Sequence, residues 1–104
     1  MISLVAEKLD ELKALCIKHR VRKLALFGSA ANSDFNPKTS DLDFLASFEE
    51  LPPIEYKDHF FGLLYDLEDL FHRRIDLVTE DAIRNPYRRQ SILSTNELIY
   101  EEAA

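Results

Sequence analysis

Three aspartates occupy segments whose other residues are apolar, a setting in which carboxylates are poor choices unless they serve a site. Asp41 and Asp43 begin the run Asp41-Leu42-Asp43-Phe44-Leu45, and Asp76 interrupts Arg74-Ile75-Asp76-Leu77-Val78. Along a strand, side chains alternate between faces, so Asp41 and Asp43 would share one face roughly 6.6–6.8 Å apart along the backbone. Leu42 and Phe44 would then point to the opposite face and join a core. Crowded carboxylates oppose one another's ionisation unless cations compensate. Hard oxygen donors in this arrangement suit Mg²⁺ held together with the phosphates of a substrate. The ordinary alternative is that Asp41 caps a turn and Asp43 lies exposed on a sheet edge, and the D-x-D spacing alone does not separate the two.

Gly28-Ser29 supplies a second element. It ends the apolar run Leu24-Ala25-Leu26-Phe27, and a glycine there permits close backbone approach while amides at a following helix start can hold phosphate oxygens. Plain helix capping by Ser29 is compatible with that use, because capping and phosphate contact employ different parts of the residue.

The elements that must position these residues follow from periodicity. Ile2, Val5, Leu9, Leu12 and Cys16 recur at helical spacing and predict one amphipathic helix ending near His19 and Arg20. Val21 to Phe27 reads as a buried strand, Asp41 to Phe48 as a second, and Ile75 to Thr79 as a short third. Between the last two, Ile54 to Phe71 predicts a long helix with Phe60, Phe61, Leu64, Leu67, Leu70 and Phe71 on its buried stripe. Asn85-Pro86 breaks the tail before a final helical segment around Arg88 to Leu93. For Gly28, Asp41, Asp43 and Asp76 to meet, the first strand must run antiparallel to the other two, which are parallel and joined through the long helix by a right-handed crossover. The expectation is an α/β fold, a three-stranded mixed sheet flanked by about four helices, in a single domain spanning 1–104.

Composition narrows the function classes. A formal net charge of −6 disfavours bulk nucleic-acid binding, which needs a basic surface to neutralise phosphates. The lone Cys16 cannot form an internal disulfide and reads as a small buried hydrophobe in a reducing, cytoplasmic setting. Glu7, Lys8, Asp10 and Glu11 interrupt the first apolar residues, so no signal peptide or membrane span is expected there. His19, His59 and His72 lack metal-ligand spacing and are given no role. Arg73, Arg74, Arg84, Arg88 and Arg89 read as solvated cations that could also assist a triphosphate or a partner.

Taken together, Phe27-Gly28-Ser29 followed eleven positions beyond Ser29 by Ser40-Asp41-Leu42-Asp43-Phe44 resembles the minimal nucleotidyltransferase family of the polymerase-beta-like nucleotidyltransferase superfamily. Asp76 in its short strand resembles that family's third acid. The resemblance implies that Gly28, Ser29 and Ser40 contact the nucleotide. It further implies that Asp41, Asp43 and Asp76 are the catalytic acids, holding Mg²⁺ in a two-ion site with ATP as substrate. Asn32-Ser33 stands where many relatives carry an arginine-glycine pair, a departure that removes one phosphate contact. Small members of this kind are often antitoxins paired with a HEPN-domain ribonuclease toxin, and some add adenylate to its tyrosine. The resemblance therefore implies a protein partner and AMP transfer, with a non-catalytic antitoxin acting by contact as the alternative.

Overall fold

The computed structural model describes residues 1–31 and 35–102. The Asn32-Ser33 departure lies outside the described residues. β1 (Val21–Phe27), β2 (Leu42–Phe48), β3 (Ile75–Thr79) and β4 (Glu97–Glu101) form one mixed sheet in the order β3-β2-β1-β4. β1 is antiparallel to both β2 and β4, and β2 and β3 are parallel. The helix between them is the long crossover α3 (Pro53–Phe71), as the sequence pattern requires.

Both faces of the central strands are covered, which explains why Leu24 to Phe27 is apolar without alternation. On one face Leu24, Leu26, Phe44, Ala46, Leu77 and Ile99 pack with Val5, Leu12, Cys16, Leu63, Leu67 and Phe71. The helices contributing those partners are α1 (Ser3–Ala6), α2 (Leu9–Lys18) and α3. On the other face Phe27 and Leu45 meet Ile83 and Ile92, with Val78 packed against them. Ile92 comes from α4 (Pro86–Thr95). Its entry is fixed by Asn85, whose Oδ1 accepts from the amides of Tyr87 and Arg88 at 3.0 and 3.2 Å, with Pro86 at the first helical position.

Three expectations change. The single N-terminal helix is two helices separated at Glu7 and Lys8. The sheet has a fourth strand, β4, which the sequence left as the apolar pair Ile99 and Tyr100. Only Ile99 is buried there and glutamates flank both ends, so an edge strand of this kind carries little alternating signal. Phe61 is not core: it is 40% exposed while Leu63 is fully buried, because the stripe of α3 facing the sheet runs through Leu63, Leu67 and Phe71. Cys16 is buried as expected, and burial pushes its thiol up to about 12. No helix among the described residues is long and apolar enough to cross a membrane.

Candidate active site

The sheet register places Phe27 opposite Asp43 and Asp43 opposite Asp76. The end of β1 and the beginnings of β2 and β3 therefore lie in one row across three strands. Asp43 shares its face with Phe27 and Leu45, the side covered by α4, while Leu42 and Phe44 enter the main core.

Gly28 follows β1 with φ +67 and opens a 3₁₀ turn over Gly28–Ala31. A Cβ at this position would overlap Oδ2 of Asp43. Glycine is thus required twice over, by the left-handed backbone and by the carboxylate lying against it. Ser29 is half-buried in the same turn.

The register sets Asp43 directly beside Asp76 of the neighbouring parallel strand. Burial, then repulsion from Asp76 and Asp41, pushes the Asp43 carboxyl up to about 6, and Arg88 of α4 acts in the opposite sense. β2 begins at Leu42 rather than Asp41, so Asp41 sits just ahead of the strand, exposed, with Oδ2 3.9 Å from Nε of Arg74. The structure therefore joins Gly28, Asp43 and Asp76 directly and brings Asp41 within charge range. Ser40 stabilises a turn: its Oγ accepts from the amide of Asn36 at 3.0 Å, and its carbonyl accepts from Arg73 at 3.3 Å.

Among the described residues, no three His, Cys, Asp or Glu side chains already form a ligand cluster. The donor set nevertheless suits a hard divalent cation. Two adjacent carboxyls, one of them pushed up by burial and by its acidic neighbours, are oxygen donors whose mutual repulsion a bound cation would offset. Asp41 adds charge to this pair.

Two cations that sequence reading left among the solvated arginines belong to the site's surroundings. Arg88 is carried toward Asp43 by the Asn85-capped start of α4, a placement for which only the Asn-Pro signal gave a hint. Arg73 reaches back to the segment before β2, which no local pattern reveals. A cleft of about 610 Å³ lies at the opposite end of the sheet, lined by Arg22, Ser47, Tyr56 and Glu80 among others. It is far from the acids and its cations are already paired, Arg22 with Glu102 and Lys23 with Glu101.

Residues 8–99 match the family model described as a nucleotidyltransferase domain. A Methanocaldococcus jannaschii protein, provisionally named a protein adenylyltransferase, is 42% identical over 88 residues, covering 85% of this chain and 84% of its own length. A solved structure of a provisionally named minimal nucleotidyltransferase superposes with a TM-score of 0.67 at 26% identity, over 91% of this chain and 94% of that one. A chain from the complex of tri-AMPylated Shewanella oneidensis HEPN toxin with MNT antitoxin has the same fold. Its TM-score is 0.63 at 15% identity, over 93% of this chain and 72% of that one.

Proposed function

The chain belongs to the nucleotidyltransferase domain family, and on that premise we propose that it is a metal-dependent protein adenylyltransferase, the antitoxin that transfers AMP from ATP to a tyrosine of a cognate HEPN-type ribonuclease toxin. The observation that carries this reading is the alignment of Gly28, Asp43 and Asp76 across three strands. A relative sharing 42% of residues is named for protein adenylylation, and a protein of the same fold is found with an AMPylated HEPN toxin. Both agree with the proposal. The site of action we assign is the cytoplasm, and the whole chain acts as one domain.

In this mechanism the backbone at Gly28 and Ser29 lets the triphosphate approach closely, with Ser40 beside it. Asp43 and Asp76, with Asp41, would hold Mg²⁺ at the end of the sheet where β2 and β3 begin. When bound, Mg²⁺ offsets the charge of the triphosphate and of the departing pyrophosphate. The tyrosine oxygen attacks the α-phosphorus, the bond to the bridging oxygen of the β-phosphate breaks, and pyrophosphate leaves. Asp76, the most exposed of the paired acids, takes the tyrosine proton. β3 is an edge strand, so the acceptor can come from the open side, which suits a folded protein rather than a small enclosed substrate.

The experiment mixes the chain with the HEPN protein encoded beside it, ATP and Mg²⁺, and reads the toxin's mass. Adducts of AMP on a tyrosine, absent with Asp43→Asn, are the expected result. A toxin that stays unmodified yet is neutralised would replace this reading by inhibition through contact alone.

A further inference from the structure

The segment leading into β2 delivers Asp41 and Asp43 to the site, and it is held by a side chain from the far end of α3. Helix α3 ends at His72, whose left-handed backbone (φ 51) turns the chain toward β3. The next residue, Arg73, reaches across to three points of the incoming segment. Its Nη2 donates to the carbonyl of Pro37 at 2.8 Å, its Nη1 donates to the carbonyl of Ser40 at 3.3 Å, and its guanidinium lies 5.5 Å from the centre of the Phe35 ring. Arg74 then engages the far side: its carbonyl accepts from the amide of Leu42 at 3.3 Å, and its Nε faces Asp41. Asp41 is thus bracketed, with the carbonyl before it held by Arg73 and the amide after it held by the backbone of Arg74.

Phe35 packs against the main core at the start of this segment, but Asn36 to Ser40 are polar or exposed and have little apolar burial of their own to order them. A planar guanidinium that binds two carbonyls at once fixes both their spacing and their direction, which a single point charge does not. We propose that Arg73 is a positioning residue of the nucleotidyl-transfer site: by pinning the carbonyls of Pro37 and Ser40 it sets where Asp41 stands relative to the Asp43–Asp76 pair. Divalent-ion and nucleotide affinity then depend on a side chain committed to protein carbonyls. This inference rests on the metal-dependent reading of the acidic site.

The test measures Mn²⁺ affinity by electron paramagnetic resonance, in the presence of ATP, for the parent, Arg73→Ala and Arg73→Lys. The two arginine variants are repeated in an Asp41→Ala background, and circular dichroism verifies folding of each protein. Outer residues that orient metal ligands typically contribute 10–100-fold in affinity, so folded Arg73→Ala should bind Mn²⁺ about tenfold more weakly. In the Asp41→Ala background the same change should alter affinity less than about twofold, because the residue it positions is gone. Arg73→Lys keeps the charge without the fork and should recover less than half of the loss on a logarithmic scale; it also carries the test if Arg73→Ala does not fold. Full recovery by lysine, an undiminished loss in the Asp41→Ala background, or a folded Arg73→Ala that binds like the parent each overturns the inference while leaving the acidic site standing. A parent that binds neither Mn²⁺ nor ATP overturns the acidic-site reading and this inference with it.

Discussion

Two carboxylates, Asp66 on α3 and Asp43 on β2, each lie beside an ionisable neighbour, and their acidities shift in opposite directions. The His19 Nε2 group donates to Asp66 at 2.6 Å and Lys18 Nζ donates at 3.0 Å. The His19 hydrogen bond, ahead of the burial that opposes it, holds the Asp66 carboxyl below the usual carboxylate range. Asp43 faces Asp76 instead, and burial plus like charge push it up to about 6. One pairing ties the end of α2 to α3 and favours the fold; the other places two acids side by side against it. The chain has only two glycines, and each serves one of these places. Gly28 makes room for Asp43, and a Cβ on Gly62 would come within 2.6 Å of Cε1 of His19. The difference teaches that the stabilising ion pair and the mutually repelling acids are separated in space here, with the repulsion lying at the end of the sheet where β2 and β3 begin.

The sharpest way to break this comparison is Asp43→Asn. On the proposed function this change should lower AMP transfer on the order of a hundredfold or more, while the metal-free protein melts at a higher temperature at pH 7 because the repulsion is gone. A lower melting temperature would show that the acid pair supports the fold. Next in size is Gly28→Ala, which imposes a left-handed alanine and an overlap with Asp43. Together these should cost about 3 kcal/mol in denaturant unfolding and should weaken metal binding as well. Asp66→Ala should cost about 1–3 kcal/mol by leaving the buried His19, only 6% exposed, without the partly exposed carboxylate it bonds to. Calorimetric ATP affinity should stay at the parent's value, which sharpens the separation; a matching loss would erase it.

The smallest effects are in pH, and they have opposite signs. The folded Asp66 pKa is depressed, so its contribution is present above the unfolded pKa of about 4 and lost as the pH falls through the folded value. The folded Asp43 value of about 6 is raised, so between about 4 and 6 the folded state binds a proton that the unfolded state has released. Metal-free stability from this group therefore rises as the pH falls through that window. Melting curves of the parent minus Asp43→Asn should isolate the rise, and those of the parent minus Asp66→Ala the loss at lower pH.

Much of the site was legible because it depends on short-range alternation. Leu42 and Phe44 had to face a core, which left Asp43 on the other side, and Asp76 in an apolar strand required the parallel partner that the long α3 supplies. Asp41 was read one residue too far into β2, since a strand boundary depends on hydrogen bonds that composition does not encode. What remained hidden was non-local. His19 looked like an ordinary helix-end histidine because Asp66 lies far along the chain, and Arg73 looked like a solvated cation because its acceptors are backbone carbonyls that every residue possesses. The break at Glu7 and Lys8 was hidden for another reason: Val5 and Leu12 face the core on either side of it, so the apolar spacing runs on unchanged.

The parallel pairing of β2 with β3 also determines which loops the chain must close. β1 and β2 are antiparallel neighbours joined by one connecting segment, whereas β3 can dock only after α3 has folded back across the sheet. Closing that longer loop costs more chain entropy. At that step Asp76 is brought beside Asp43, so their repulsion grows as the last strand of the acidic row arrives. The row of acids therefore works against the docking of β3, and whatever neutralises the pair favours that docking.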